Sequence, residues 1–349
     1  VSQGRVYLDH NATAPLRAEA RAAMEAAMDI AGNPSSVHAE GRMARALVER
    51  ARGEIAAALG ATGADIVFTS GATEAAALAL GGRGLKAAGV EHEAVLAHVE
   101  VVLPVDAAGR VTVAEPGAAA LQLANSETGV VQALPAGLAV SDVTQGVGRL
   151  PFAFDWADVG MAFLSAHKIG GPKGVGALVL RRGTELAPQM KGGGQEMGRR
   201  AGTENLVGIA GFAAALTAAV RDLGDGRWDA VAELRNILEE AIEAVSPETI
   251  FVGKEGVRLP NTSCMLTPGW KGEMQVMAMD LAGFAVSAGS ACSSGKMRAS
   301  RALMAMGHGA EAAASAVRVS LGLETTREDV LRFAEAWGAR RDKQRRRAA

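Results

Sequence analysis

Residues Asp65–Leu80 read DIVFTSGATEAAALAL. The apolar run Asp65–Thr69 has the length and composition of a buried strand, SGAT supplies a turn of small residues, and Glu74–Leu80 continues as a helix. A strand that feeds a helix through small residues is the repeating unit of a sheet covered by helices. The same alternation recurs in both directions along the chain. Before it, Pro15 opens a helix with Leu16, Ala20, Met24 and Met28 on one face, and a second helix is expected from Glu40 to Leu59. After it, strands are expected at Val99–Leu103, Leu121–Ala124, Met161–Leu164 and Val175–Leu180, with helices near Glu204–Ala219 and Trp228–Ala244. This pattern predicts an α/β protein with a mostly parallel sheet. Beyond about residue 230 the character changes: strands near Thr262–Leu266, Phe284–Ser287 and Ala316–Leu321 mix with helices near Glu273–Leu281 and Arg327–Trp337, which predicts a smaller α+β domain.

The composition narrows the function classes. The chain has 349 residues, 36 Lys+Arg against 38 Asp+Glu, 43 glycines and 2 cysteines. A net charge of -2 gives no general grip on nucleic acid or an anionic membrane, and two distant cysteines cannot make a disulfide framework or a structural zinc site. No apolar run of about 20 residues stands out as a membrane span, so a soluble, cytoplasmic protein is expected. The basic end at Arg345, Arg346 and Arg347 reads as a solvated helix terminus. GSACSSGKM (289–297) has the wrong glycine spacing for a phosphate loop, and His92 and His98 lie too far apart for a helical zinc pair. No metal site is expected.

Four segments carry residues suited to chemistry. The N-terminus of the helix after SGAT leaves free N–H groups, and Ser70 and Thr73 add hydroxyls; this suits a phosphate, although an ordinary cap looks the same. SAHKIGGPKGVG (165–176) places Lys168 between a strand end and a glycine-rich turn, where it is either a Schiff-base lysine or a surface loop residue. In SDVTQGVGR (141–149), Asp142 and Gln145 stand at a strand end; the aspartate is either an ordinary ion-pair partner or the carboxylate that an electron-sink cofactor needs beside its ring nitrogen. Cys264, within NTSCML, fits a core strand, whereas Cys292, within VSAGSACSSGK, sits among small residues that offer no core and is a nucleophile candidate.

Taken in order, YLDHNATAP (7–15), GNPSSVHAEG (32–41), IVFTSGATE (66–74), EHEAVL (91–96), NSETGVVQ (125–132), DVTQGVG (142–148), SAHKIGGPKG (165–174), RRAGTEN (199–205), GSACSS (289–294) and RVSLG (318–322) resemble the cysteine desulfurases of the NifS/IscS type. These are pyridoxal-phosphate enzymes of the class V aminotransferase group with the aspartate aminotransferase-like fold. The resemblance runs from about Val6 to Val330. It implies a large domain at residues 14–230 with a mostly parallel, seven-stranded sheet, and a small domain formed by residues 1–13 and 231–349 that carries the Cys292 loop.

The resemblance also assigns roles. Lys168 would bind pyridoxal 5'-phosphate as a Schiff base and act as the base. Asp142 would pair with the ring nitrogen, Gln145 and Ser126 would lie at the ring hydroxyl, and His92 would stack on the ring and move protons. Ala72, Thr73, Ser165 and His167 would hold the phosphate, and Thr203 would reach the phosphate of a neighbouring subunit in a homodimer. Arg318, helped by Asn33, would bind the substrate carboxylate. Cys292 would take sulfur from L-cysteine as a persulfide, leaving L-alanine, for delivery to a sulfur-acceptor protein in iron–sulfur cluster or other thio-cofactor synthesis. Two other readings are another class V lyase or aminotransferase in which Cys292 is incidental, and a non-catalytic interaction protein. Three features depart from the family pattern: Ser126 stands where relatives usually carry Asn, and the connections between His98 and Leu121 and between Leu134 and Asp142 are short. The second shortening predicts difficulty in building a parallel crossover and an altered sheet edge.

Overall fold

The computed structural model describes residues 4–288 and 299–348. The first part of the chain runs β1 (Val6–Tyr7), α1 (Ala18–Met28), α2 (Ala39–Ala58), β2 (Ala64–Thr69), α3 (Ala72–Leu80), β3 (Lys86–Ala88), α4 (Glu93–Leu96), β4 (Glu100–Leu103), β5 (Ala120–Gln122), β6 (Val140–Asp142), α5 (Phe154–Ala157), β7 (Met161–Ser165) and β8 (Gly176–Arg181). It continues with α6 (Leu206–Gly224), α7 (Arg227–Val245), β9 (Ile250–Phe251), β10 (Thr262–Leu266), α8 (Gly272–Asp280), β11 (Phe284–Ala285), β12 (Ser287–Ala288), α9 (Arg301–Ala305), α10 (Ala310–Ala314), β13 (Ala316–Ser320) and α11 (Arg327–Ala348).

Five strands form a sheet in the order β2-β8-β7-β6-β5. β5, β6 and β7 pair in parallel, whereas β8 runs antiparallel to both β2 and β7. A parallel bridge from Lys86 to Ala119 carries the arrangement on to the parallel pair β3–β4. The strand–turn–helix at 65–80 forms as read, and its side chains show why. Side chains alternate along a strand, so Ile66 and Phe68 enter one core with Ile55, Phe212 and Leu216, while Val67 enters another with Leu78, Leu178 and Phe163. Helices therefore cover both faces: α1, α2 and α6 on one, α3 on the other.

α6 corrects one expectation, because it is long and apolar enough to cross a membrane by length and composition. It is instead a core helix packed against α1 and α2. Gly211 makes the approach possible; a Cβ there would lie 2.6 Å from Met24 Cγ.

The short connection before β6 does not disturb the sheet. β5 and β6 pair in register, with Ala120 opposite Val140 and Gln122 opposite Asp142. Residues 123–139 cross over without a helix, and hydrogen bonds within the segment and to Val257 and Leu259 supply the support that a crossover helix normally provides. Gln132 N–H donates to Leu123 O, Val131 N–H donates to Val257 O, and Leu259 N–H donates to Gly129 O. The longer link from His98 to β5 holds β4, a Val105–Val111 bridge and a short 3-10 turn at 116–118.

A second sheet, antiparallel in the order β12-β13-β10-β9, packs with α7, α8 and α11. The expected strand Phe284–Ser287 is two strands: β11 pairs with β1, and β12 pairs with β13. Thus Val6 and Leu8 share a core with Trp228, Phe284, Phe333 and Trp337. α11 runs past the expected end at Trp337, where Arg341 bonds Glu248 at 2.8 Å and holds its carboxyl down at about 2.

Arg258 and Glu239 form a buried bidentate pair at 2.8 and 3.0 Å, which fixes the loop that braces the crossover. Glu239→Leu would leave the guanidinium buried without its partner, so urea unfolding should show a loss of about 3–5 kcal/mol. Adding Arg258→Met should restore most of it, because the loss comes from the unpaired charge rather than from packing.

Candidate functional site

The C-terminal ends of β6 and β7, the start of α3, the cap of α4 and the segment after β1 converge on a cavity of about 610 Å³. Such strand ends are where open α/β sheets place ligands. Asp142 ends β6 and Ser165 ends β7; His167 and Lys168 follow in a 3-10 turn. Ala72 and Thr73 open α3, whose first N–H groups lack helical acceptors. His92 caps α4, its Nδ1 accepting from Ala94 N–H at 3.1 Å. Gly176 lets β8 approach this end closely, since a Cβ there would lie 2.8 Å from Gly71 Cα.

The Lys168 ammonium donates to Asn11 O at 2.6 Å and Ala12 O at 3.0 Å, which holds it within the cavity. Gln145 Nε2 donates to the same Asn11 O at 3.0 Å. Asp142 accepts from Thr144 N–H at 2.9 Å; burial pushes its carboxyl up, against the opposing pull of Thr144, His92 and Lys168. A buried acid of this kind is suited to sharing a proton with a basic nitrogen.

Arg318 projects from β13 into the same cavity, donating from Nη2 to Asp9 Oδ1 at 2.7 Å and from Nη1 to Ser126 O at 3.0 Å. Its buried Nε–H has no hydrogen-bond acceptor among the described residues. Because Ser126 meets Arg318 through its backbone carbonyl, the exchange of Asn for Ser leaves this contact intact.

His167 and His10 are both held down at about 4, chiefly by burial, with Lys168 and Lys173 opposing protonation of the first and Arg149 that of the second. Both rings stay neutral in the fold to about pH 4, whereas an unfolded histidine takes a proton near 6.5. The stability they contribute is therefore complete above about pH 6.5 and lost as pH falls toward 4. His10 should account for about 2–3 kcal/mol, and the more exposed His167 for less. Urea melts at pH 7.5 and 4.5 should show a smaller acid loss in His10→Gln than in the parent.

Of the residues assigned from the sequence, Ala72, Thr73, His92, Ser126 and Asp142 line this cavity, as do Gln145, Ser165, His167, Lys168 and Arg318. Two do not. Asn33 is exposed and caps a local turn, its Oδ1 accepting from Ser35 N–H at 2.9 Å. Asn33, expected to help Arg318 with the substrate carboxylate, is thus not among the residues that line this cavity. Thr203 is exposed on a loop tied to the start of α3 by Arg200 and Glu74. Cys292 lies outside the described residues. Cys264 is a core residue of β10, its thiol pushed up to about 12 by burial. The sequence reading missed Asp9, Asn11 and Arg149; the only trace of the first two was their place in YLDHNATAP.

The class V aminotransferase family model matches residues 6–102 and 105–333. The chain belongs to that family. It is 39% identical to a cysteine desulfurase of Cereibacter sphaeroides, with 95% of this chain and 94% of the relative covered. It is 36% identical to cysteine desulfurase IscS of Dictyoglomus turgidum, covering 93% and 91%. Among solved structures, a NifS-like protein from Rickettsia africae superposes with a TM-score of 0.89 at 31% identity, over 97% of this chain and 99% of that one. The first alignment spans 369 positions against 349 residues here, so that relative carries residues this chain lacks.

The family is pyridoxal phosphate-dependent, and the residues present fit that group. The uncapped N–H groups of α3 with the hydroxyls of Thr73 and Ser165 suit a phosphate dianion. Across the same cavity stand the amine of Lys168, the carboxyl of Asp142, the imidazole of His92 and the guanidinium-bearing side chain of Arg318.

Proposed function

We propose that this chain is a pyridoxal phosphate-dependent cysteine desulfurase that converts L-cysteine to L-alanine and transfers the sulfur to Cys292 as a persulfide. The observation that carries this reading is the convergence of Lys168, Asp142, His92 and Arg318 on one cavity of a class V aminotransferase chain. The two desulfurase relatives support the choice of substrate.

When bound, the cofactor supplies the covalent link to the substrate amine and the sink for electrons released at Cα. Lys168 would hold the group, and its amine would take the Cα proton. Asp142 would keep the ring nitrogen protonated. His92 would contact the ring and move protons, and Gln145 with Ser126 would hold the ring hydroxyl. Ala72, Thr73, Ser165 and His167 hold the phosphate; a neutral His167 donates one hydrogen bond without adding charge. Arg318 would bind the substrate carboxylate, since a planar guanidinium can meet a carboxylate with two parallel hydrogen bonds.

Residues 14–230 would form the large domain, and residues 1–13 with 231–349 the small domain that brings the Cys292 loop to the cavity. The working form would be a homodimer, with exposed Thr203 meeting the neighbouring cofactor phosphate. A reactive thiol that carries persulfide suits the reducing cytoplasm, where an acceptor protein for iron–sulfur cluster or other thio-cofactor synthesis would collect the sulfur.

The test is incubation of the loaded protein with L-cysteine and a reductant, following alanine and sulfide, with mass spectrometry of trapped protein. Equal alanine and sulfide, with one added sulfur on the peptide containing Cys292, are expected. Sulfur on no cysteine, or faster turnover of another amino acid, would overturn the reading.

A further inference from the structure

Arg149 is a buried cation whose hydrogen bonds among the described residues all end on uncharged oxygens. Its Nη1 donates to Gln145 Oε1 at 2.6 Å and Gln145 O at 3.1 Å, and its Nη2 donates to Lys168 O at 3.0 Å. The turn that returns it beneath Gln145 requires glycine twice. A Cβ at Gly146 would lie 2.4 Å from Leu123 Cδ2, and Gly148 has φ +74°. Trp228 completes the enclosure, donating from its indole N–H to Gly148 O at 2.6 Å with its ring 5.8 Å from the guanidinium.

A guanidinium has donors only, so the oxygen of the Gln145 amide must face Arg149. Asn11 O can only accept, so the nitrogen of the same amide must face the cavity side. One N–H goes to Asn11 O, leaving the second for an acceptor in the cavity that Gln145 lines. The same Asn11 O receives the Lys168 ammonium. Arg149 thus touches, from behind, both the residue that would meet the cofactor's ring hydroxyl oxygen and the main chain of the lysine that would hold the cofactor. Burial of a cation without a counter-charge is costly, and an anionic oxygen on the far side of the amide offsets it.

We infer that Arg149 is a positioning residue that fixes Gln145 as a donor toward the anionic ring oxygen of the bound cofactor, and lends that oxygen a positive field. Burial and the charges of Arg318 and Arg17 lower Arg149 only to about 10, so it is cationic at neutral pH. The inference rests on the assignment of Lys168 and Gln145 to pyridoxal phosphate.

The test is a spectrophotometric pH titration of protein loaded with pyridoxal phosphate, for the parent, Arg149→Lys and Arg149→Met, with cofactor release timed after dilution and melting of the cofactor-free forms. A positive charge disfavours proton uptake at the lysine–cofactor linkage, so Arg149→Met should raise the midpoint of the visible band by about one pH unit. It should also speed release about tenfold, while Arg149→Lys restores most of both. If Arg149→Met does not fold, Gln145→Leu and Arg149→Lys carry the test: Gln145→Leu should raise the midpoint, and Arg149→Lys should hold it near that of the parent. An unchanged midpoint and release rate in Arg149→Met, with only a lower melting temperature, would overturn the inference and leave the functional reading standing. A parent protein with no visible band that depends on Lys168 would overturn both.

Discussion

Lys168→Ala should remove the visible band of the loaded protein and cut cysteine turnover by about 10⁴-fold, while the chain keeps its fold. The ammonium rests on Asn11 O and Ala12 O within the cavity, so its loss removes polar contacts rather than core packing. General-base catalysis by a positioned side chain contributes about 10²–10⁴-fold, and Lys168 combines that role with covalent attachment, which places the effect at the upper end. Turnover by stopped assay, the visible spectrum and thermal melting separate the two contributions from damage to the fold. Added small amines should restore part of the proton transfer but not the protein-linked band. A Lys168→Ala protein with near-parental turnover would place the chemistry on another residue.

Asp142→Asn should reduce turnover by about 10²–10³-fold with binding of the cofactor retained. Asn keeps the shape and can still accept from Thr144 N–H as Asp142 Oδ1 does, but it cannot hold a proton on the ring nitrogen. Loss of one partner from a buried charge pair costs about 3–5 kcal/mol, and each 1.36 kcal/mol in the barrier is about tenfold in rate. The pH dependence carries the sign. Burial raises the Asp142 carboxyl above its ordinary value in the chain alone, and a cationic partner pulls it back down. Loading the cofactor should therefore release a proton at acid pH below the raised value, and the release should fade as pH rises through it. Asp142→Asn should abolish that release in a pH-stat titration.

The two substitutions differ in what they leave behind, and this reflects where the residues sit. Lys168 follows the end of β7, on a turn whose main chain Arg149 holds. Asp142 lies inside the sheet, opposite Gln122 on β5 and Phe163 on β7. The lysine thus stands on a turn beyond the sheet, and the carboxylate stands on a strand paired on both sides. That division suits a residue that must leave the cofactor in each cycle and one that must hold it throughout.

Much of this was legible in the sequence, because the residues concerned are local. The apolar run at 65–69 and the helical composition at 74–80 specify a strand and a helix wherever they are placed, and Lys168 and Asp142 stand at strand ends. A cavity built from strand termini inherits its residues from short contiguous motifs, and ten of the assigned residues line it. The sequence also located the short crossover, though not its consequence. It took the tertiary structure to show that residues 123–139 keep β5 and β6 parallel by bonding to Val257 and Leu259, more than a hundred positions away. Tertiary structure likewise split Phe284–Ser287 between two sheets and turned an apolar α6 into a core helix rather than a span. The pairing of Arg318 with Asp9, and the donor-only contact of Arg149 that orients Gln145, join residues with no shared local pattern. Periodicity and turn chemistry act over a few residues and are written into the chain; which charge meets which amide is decided only when distant segments pack together.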